Sequence, residues 1–173
     1  MMIKGIKIIQ NKNFFDKRGH FKELILEKKL KKKFPFIVMS QSKQNVLRGL
    51  HIQTKNPQAK FISVIKGEIF DVAVDLRKNS KTHGKHFSCT LSAKNAKSIF
   101  IPEGFAHGFY TIGKDNIVIY ACSKYRNKLS EKSIIFNDKD LSINWPIKKK
   151  KIIISKKDLN AMSFVDFLKK NEK

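Results

Sequence analysis

Residues 60–77 read KFISVIKGEIFDVAVDLR, two runs of mostly apolar residues joined by a lysine and a glycine. Short runs that meet at a glycine are typical of strands joined by a tight turn. The stretch therefore predicts a pair of strands, Lys60–Lys66 and Glu68–Asp75. Lys60 then begins the first strand, and Asp71 places a carboxylate inside the otherwise apolar second one.

The same pattern recurs along the chain and sets the expected fold class. Further predicted strands are Ile6–Ile9, His20–Leu26, Phe36–Ser40, Val46–Gln53, His86–Leu91, Lys97–Ile101, His107–Ile112 and Asn116–Lys124. Glycine, proline and asparagine occupy the breaks between them. Many short strands at this spacing indicate an all-β sandwich or barrel, and residues 1–173 are predicted to form one such domain.

Two segments predict helices. LEKKLKKK, at 26–33, is expected to form a short helix, and SKKDLNAMSFVDFLKK, at 155–170, a C-terminal one. Ser155 is the predicted N-cap of the second helix, because a hydroxyl there accepts a hydrogen bond from a backbone N–H of the first turn. Its apolar face is predicted to come from Leu159, Met162, Val165 or Phe167.

The charge of the chain is strongly positive, with 37 Lys plus Arg against 14 Asp plus Glu. Such an excess raises the hypothesis of a nucleic-acid partner. Most of the cations are lysines scattered singly, and the two dense runs, at 28–33 and 148–151, lie at the ends of predicted elements. No zinc-finger, helix-turn-helix or RNP pattern is present. A solvated, lysine-rich surface without a nucleic-acid partner is the preferred interpretation.

The cysteines and the N-terminal residues indicate the cellular compartment of the protein. Cys89 and Cys122 have no C-x-x-C partner, which favours free buried thiols in a reducing compartment. MMIKGIKII, at 1–9, is too short and too interrupted by lysine for a secretory segment, and no apolar run reaches the roughly 18 residues of a membrane span. A soluble cytoplasmic protein with no membrane contact is expected.

Polar residues inside three of the predicted strands indicate a site. Strand alternation in Val46–Gln53 predicts that Leu47, Gly49, His51 and Gln53 share one face, and that Arg48, Leu50 and Ile52 share the other. His107 follows a Pro-Glu-Gly turn, and Tyr120 lies in a later strand. Taken alone, each of these residues is most simply a core residue, or a residue at the edge of the core, whose polar atoms are hydrogen-bonded within the protein. Their coincidence favours a functional cavity.

A family resemblance appears at IPEGFAH, 101–107, which contains the P-x-G-x-x-H signature of cupins. VLRGLHIQ, at 46–53, falls where the other cupin signature lies, but His51 and Gln53 replace the H-x-H of metal-binding members. Four more stretches extend the match: DKRGHFKE at 16–23, KGEIFDVAVDLR at 66–77, LSAKNAKSIFIPEGFAHGF at 91–109 and FNDKDLSINWP at 136–146. Together they resemble the dTDP-4-dehydrorhamnose 3,5-epimerase family over nearly the whole chain.

The resemblance implies a mainly β, cupin-type jelly-roll sandwich with short peripheral helices and a C-terminal helix. It also implies a homodimer that needs no metal and no cofactor and acts on a nucleotide-linked 4-keto sugar. The ketone at C4 acidifies the hydrogens on C3 and C5. Inversion therefore requires a base on one face of the sugar ring, a donor for the enolate oxygen, and a proton source on the other face.

The resemblance also assigns roles to individual residues. His51 matches the base and Asp158 the carboxylate that orients it, while Tyr120 matches the acid on the opposite face. Lys60 resembles the cation near the enolate, with Asp71 beside it. The residues expected to bind substrate are Arg48, His107, Gln53, Arg18, Glu23 and Tyr125, of which Arg18 and Glu23 belong to a nucleotide-binding segment that often crosses the dimer interface.

Several alternatives stay open at this point. Where the family commonly has Q-D-N-H-S, the chain has IVMSQS at 37–42. The nucleotide is therefore expected to be dTDP on a 4-keto-6-deoxyhexose or GDP on a 4-keto hexose or heptose, for surface polysaccharide synthesis. A single-centre C3 or C5 epimerase or a 3,4-ketoisomerase is the second hypothesis. A non-catalytic cupin or a basic nucleic-acid-binding module is the third.

Overall fold

Two antiparallel sheets dominate the computed structural model, which describes residues 3–25, 27–147 and 152–171. Its strands are β1 Lys7–Gln10, β2 Asn13–Asp16, β3 Gly19–Lys22, β4 Phe36–Lys43, β5 Val46–Gln53, β6 Lys60–Lys66, β7 Glu68–Asp75, β8 His86–Ser92, β9 Lys97–Ile101, β10 Phe105–Thr111, β11 Asp115–Cys122, β12 Glu131–Ser133 and β13 Ile153–Ile154. Its α-helices are α1 Glu27–Leu30, α2 Lys156–Leu159 and α3 Phe164–Asn171, and a 3-10 turn spans Lys128–Ser130.

The first sheet has the strand order β1-β9-β6-β11-β4, and the second has β12-β5-β10-β7-β8 with β13 parallel to β5. Apolar side chains from both sheets meet in one buried cluster, with Ile62 and Val118 from the first sheet and Ile69, Ala73 and Phe109 from the second. Burying such side chains is the main favourable term in folding. The predicted two-sheet sandwich is therefore confirmed.

The outer face of the second sheet is covered by the C-terminal part of the chain. Phe164 and Phe167 of α3 and the ring of Trp145 pack in a cluster with Leu50 and Val72. The indole N–H of Trp145 donates to the carbonyl of Phe136 at 2.7 Å, which satisfies the polar atom of this buried ring. This packing brings the segment that carries Asp158 against β5.

Most predicted strand bounds agree with the structure, but the predicted single C-terminal helix is wrong. Ser155 does cap α2, accepting from the backbone N–H of Asp158 at 3.1 Å. The helix ends at Leu159, and the carbonyl of Met162 instead accepts from the backbone of Ile135 at 2.9 Å. Leu159 is 50% exposed, so it is not part of an apolar face.

A new helix, α3, then begins, with the backbone N–H of Phe164 donating to Asp138 at 2.8 Å. Phe164 and Phe167 are buried, whereas Val165, predicted on the apolar face, is 43% exposed. The tertiary contacts of Met162 and Phe164 override the local helical pattern.

The N-terminal region also differs from expectation. The strand predicted for His20–Leu26 ends at Lys22 as β3, which pairs with the unpredicted β2 in a separate two-stranded sheet. Leu26 and the lysine run at 148–151 lie outside the described residues. The hairpin carries Phe14, Phe15 and Phe21 on its surface, and Phe15 is 75% exposed. Such an exposed aromatic patch is typical of an interaction surface.

Both cysteines are free thiols, as predicted, but only Cys122 is buried, and Cys89 is partly exposed. Burial raises the pKa of the Cys89 thiol to about 12, so it stays protonated at neutral pH. Within the described residues, no helix is long and apolar enough to cross a membrane.

Candidate active site

A cavity of about 730 Å³ opens between the two sheets. The first sheet contributes Lys60 from β6 and Tyr120 from β11, and the second contributes His51 from β5 and His107 from β10. Asp158 of α2 lies at the same cavity. The structure thus brings together five residues that sequence analysis placed far apart along the chain.

Arg48 and His51 both line this cavity, so the predicted alternation of β5 is wrong at this point. His107 pairs with His51, and Phe109 pairs with Arg48, so two steps along β10 match three steps along β5. The extra residue in β5 forms a β-bulge. The bulge interrupts the alternation of side chains, so Arg48 and His51, three positions apart, face the same side of the sheet. The bulge lies at Gly49, where an added Cβ would come within 2.6 Å of the Gly108 backbone.

His51 and Asp158 form a close pair, with His51 Nε2 2.6 Å from Asp158 Oδ1. Burial alone would raise the pKa of Asp158, but hydrogen bonds from His51, the Gly49 N–H and the α2 N-cap lower it below its usual range. An ionised carboxylate only accepts hydrogen bonds, so Nε2 must be the donor. In a neutral imidazole held in this way, the other ring nitrogen, Nδ1, keeps its lone pair and can act as a base.

His107 and Asp71 form a second, deeper pair, with His107 Nε2 2.8 Å from Asp71 Oδ2. Asp71 is fully buried and does not itself line the cavity. The sequence predicts Asp71 beside Lys60. Its charge does act on the Lys60 ammonium, opposing the fall in the pKa of that group, and its hydrogen-bond partner is His107. The second carboxylate oxygen, Oδ1, has no hydrogen-bond partner among the described residues. The pair fixes the orientation of the His107 ring.

Tyr120 lies on the wall opposite His51. Its hydroxyl is 3.1 Å from Ser40 Oγ, and its ring packs edge-on against His107 at 6.3 Å between centroids. Burial raises the pKa of Tyr120, so the phenol keeps its proton at neutral pH. A protonated phenol in this position can donate to a group in the cavity.

Lys60 begins β6 and is paired in register with Cys122 of β11. Burial lowers the pKa of the Lys60 ammonium, an effect that Cys122 and two nearby carboxylates partly oppose. The cavity also raises the pKa of the Cys122 thiol, through burial. A half-buried cation here can stabilise negative charge that develops in the cavity, since electrostatic interactions are stronger in a low-dielectric site.

The cavity rim holds an ion-pair cluster that sequence analysis missed. Glu131 Oε2 accepts from Arg126 Nε at 2.7 Å, and Glu131 Oε1 accepts from Lys157. Burial alone would raise the pKa of Glu131, but these two cations lower it to about 2. Lys157 directly precedes Asp158 in the chain, and this position was the one signal in the sequence that could have predicted the cluster. Arg48 adds a further cation, anchored by Ser42 Oγ at 3.1 Å.

Four of the predicted substrate-binding residues differ in position from the five residues at the centre of the cavity, which are His51, Lys60, His107, Tyr120 and Asp158. Gln53 lines the cavity, but its amide is bound to backbone groups of the loops that follow β5 and β11. Tyr125 is 68% exposed, and its ring lies 5.7 Å from that of Phe36 at the cavity edge. Arg18 is paired with Asp16 on the exposed N-terminal hairpin, and Glu23 is exposed just after β3. The structure does not bring Arg18 and Glu23 to this cavity.

Metal-ligating side chains do not cluster in the described ranges, where no group of three His, Cys, Asp or Glu residues could hold an ion. Both cavity histidines already direct one ring nitrogen to a carboxylate. The arrangement can perform acid–base chemistry from two walls of one cavity, with cations nearby for developing and fixed negative charge.

Comparison with known proteins connects this geometry to a family. Residues 1–166 match the family model described as dTDP-4-dehydrorhamnose 3,5-epimerase. A curated protein of that name from Methanothermobacter thermautotrophicus is 43% identical over 164 residues, which cover 91% of this chain and 89% of that protein.

Two solved structures are also similar. The dTDP-4-dehydrorhamnose 3,5-epimerase of Elizabethkingia anophelis NUHP1 has a TM-score of 0.89 and 43% identity, covering 96% of this chain and 94% of that one. The dTDP-6-deoxy-D-glucose-3,5-epimerase of Legionella pneumophila, in complex with dTDP-4-keto-L-rhamnose, has a TM-score of 0.91 and 38% identity, covering 94% and 89%. These likenesses confirm the predicted cupin-type jelly roll.

Proposed function

Because the chain belongs to the dTDP-4-dehydrorhamnose 3,5-epimerase family and is an isomerase, we propose that it inverts both C3 and C5 of a dTDP-linked 4-keto-6-deoxyhexose. One observation carries this proposal. A candidate base, His51, and a candidate acid, Tyr120, come from opposite sheets and line one cavity. Inversion needs this arrangement, because the new proton must arrive on the face opposite the one that lost it.

His51 is the proposed base. Asp158 accepts from Nε2, which leaves Nδ1 to remove a proton from carbon. The carboxylate then stabilises the imidazolium that forms, as in other histidine–aspartate pairs. The Ser155 cap and the Gly49 N–H hold Asp158 itself, so the pair is fixed by backbone contacts of α2 and β5.

Lys60 is the proposed electrostatic partner of the C4 oxygen. Proton loss from C3 or C5 converts the ketone to an enolate, and the negative charge moves to that oxygen. An ammonium beside that oxygen in a partly buried cavity lowers the energy of this intermediate. His107, held by Asp71, supports the same oxygen or a neighbouring hydroxyl from the second sheet.

Tyr120 is the proposed acid. Its raised pKa keeps the proton on the phenol until an adjacent carbanion accepts it, and Ser40 holds the hydroxyl in place. After the first inversion His51 holds the proton taken from carbon and Tyr120 has lost its own. The same pair serves C3 and C5 in turn once solvent has removed the proton from His51 and returned one to Tyr120, with the sugar shifting within the cavity between the two steps. The proposed reaction uses only side-chain acid–base chemistry, so we propose that it needs no metal.

The rim cations are the proposed contacts of the nucleotide diphosphate. Arg48, Arg126 and Lys157 all line the cavity, and guanidinium groups bind phosphate oxygens through two parallel N–H donors. Glu131 holds Arg126 and Lys157 in place before substrate arrives.

We also propose a homodimer. The edge strand β4 exposes Ile37 and Met39 by 59% and 62%, and the β2–β3 hairpin exposes three phenylalanines. A free strand edge beside exposed apolar side chains favours association with a second copy. Arg18 and Glu23 lie on or beside this hairpin, so in a dimer they are the candidates to reach the partner's cavity. The proposed setting is the cytoplasm, where the product supplies surface polysaccharide synthesis.

The direct test is incubation of the protein with dTDP-4-keto-6-deoxyglucose, followed by NMR of the sugar ring. The proposal predicts a product with both C3 and C5 inverted. Inversion at a single centre would favour a monoepimerase instead, and a shift of the keto group from C4 to C3 would favour a ketoisomerase.

A further inference from the structure

The hydroxyl of Tyr120 has one hydrogen-bond partner among the described residues, Ser40 of β4. Ser40 Oγ lies 3.1 Å from the phenol oxygen, and either group can be the donor. The phenol ring itself packs against two further rings, those of His107 and Phe109, at 6.3 and 6.1 Å between centroids. A sugar that takes its proton from this phenol covers the side that faces the cavity. Ser40 therefore lies on the remaining route by which a proton can reach the phenol oxygen.

Ser40 is placed to connect this phenol with water. Its side chain is partly exposed, and it lines the cavity with Phe36 and Val38 on one side of β4. Ile37 and Met39, the side chains proposed to contact a second copy, alternate with them and lie on the other side. Strand β4 is the last strand of its sheet, so Ser40 lies at the margin of the cavity.

The proposed reaction requires such a connection. Each inversion moves one proton from Tyr120 to carbon and one from carbon to His51, so the phenolate must regain a proton before it can act again. A serine hydroxyl can give up its own proton while it accepts another, because it has one donor and two acceptor positions. Burial raises the pKa of Tyr120, and the hydrogen bond from Ser40 and the charge of the Arg48 guanidinium oppose that rise. Both therefore stabilise the phenolate until it is protonated.

We propose that Ser40 relays a proton from solvent to Tyr120 after each inversion. Water gives a proton to Ser40 Oγ as the serine gives its own proton to the phenolate. The hydroxide that remains takes up the proton that His51 releases, so the enzyme returns to its starting state with no net gain or loss of protons. This inference rests on the proposed function, because it takes Tyr120 to be the acid, and Ser40 acts through Tyr120.

The test follows both centres of the sugar through a single turnover, with enzyme in excess over a dTDP-4-keto-6-deoxy sugar, by rapid quenching and NMR. In Ser40→Ala the phenol begins with its own proton, so the first inversion is expected within about threefold of the wild-type rate. The second is expected to be slower by about tenfold or more, because the phenolate has lost its relay, and sugar inverted at one centre should accumulate. Ser40→Thr keeps the hydroxyl and should restore the second step.

Ser88→Ala is the matched control, since Ser88 is a partly exposed strand serine that does not line the cavity. It should leave both steps unchanged. A Ser40→Ala variant that slows the two inversions by the same factor would overturn the inference, because a residue that only holds the phenol in place affects both steps alike. Unchanged rates at both centres, or a Ser40→Thr variant as slow as Ser40→Ala, would also overturn it.

Failure of the proposed function gives a different result. If wild-type protein inverts one centre only, the assignment of two centres fails. The relay then still predicts that Ser40→Ala, with substrate in excess, completes one inversion per active site at the wild-type rate and turns over slowly afterwards. Linear turnover of this variant from the first cycle would overturn the relay alone.

Discussion

Replacing Asp158 with asparagine removes the negative charge of the His51–Asp158 pair and keeps its shape. The two groups are joined at 2.6 Å, so the centres of charge in an imidazolium–carboxylate pair lie about 4 Å apart. At an effective dielectric constant of about 20, their attraction is about 4 kcal/mol. The His51 side chain is 31% exposed, and solvent screening reduces this to about 2–3 kcal/mol.

That loss of transition-state stabilisation corresponds to a kcat lower by roughly a hundredfold. A second effect adds to it, because asparagine can donate an N–H to Nε2 and so favours the tautomer that places the proton on Nδ1. The base is then lost, as in the comparable histidine–aspartate substitution of serine proteases, where kcat falls roughly 10⁴-fold. We therefore expect Asp158→Asn to lower kcat by roughly 10²- to 10⁴-fold with little change in KM.

The assay is steady-state turnover of a dTDP-4-keto-6-deoxy sugar, with circular dichroism to confirm that the variant is folded. Asp166→Asn, in the exposed first turn of α3, is the matched control and should keep wild-type kcat. His51→Asn should lose at least as much activity as Asp158→Asn while still binding nucleotide. A folded Asp158→Asn variant with kcat within threefold of wild type would refute the assignment of the pair.

Three further predictions follow from other contacts. Tyr120→Phe should still exchange solvent deuterium into the starting sugar but yield little epimer; wild-type inversion in this variant would make Tyr120 a packing residue. Exhaustive chelation should leave turnover unchanged, and a loss of activity that one divalent ion restores would contradict the metal-free mechanism. Glu131 has its pKa lowered to about 2, so its stabilising ion pairs are complete above pH about 4.5 and weaken as pH falls toward 2. Glu131→Gln should therefore reduce the free energy of unfolding by about 1 kcal/mol at pH 6 and by less at pH 3 in urea titrations, and a pH-independent difference would contradict this origin.

The strands were predictable where the pattern was local. Val46–Gln53, Lys60–Lys66, Glu68–Asp75 and Lys97–Ile101 have the predicted bounds, because apolar runs and turn residues mark both ends of each. The family resemblance, carried by motifs spread over the chain, identified the cupin jelly roll and the residues His51, Lys60, His107, Tyr120 and Asp158 that meet in the cavity.

The failures have a common physical cause, since each depends on contacts with a distant part of the chain. Arg48 faces the cavity because β5 carries one more residue than β10 between two pairs, and a single strand read alone cannot reveal that. The C-terminal helix breaks because Met162 and Phe164 bind Ile135 and Asp138. The rim cluster joins Arg126 and Glu131, which belong to one segment, to Lys157 of a distant segment, and the two segments carry no shared motif.

The central claim is that a base on one sheet and an acid on the other invert two carbons of a 4-keto sugar. NMR and mass spectrometry of the product formed by wild-type protein in deuterated water test it most directly. The account predicts one solvent deuterium at C3 and one at C5, each coupled to inversion of that carbon. Product inverted at both carbons without solvent deuterium, or no inversion of any 4-keto sugar nucleotide by folded protein, would contradict it.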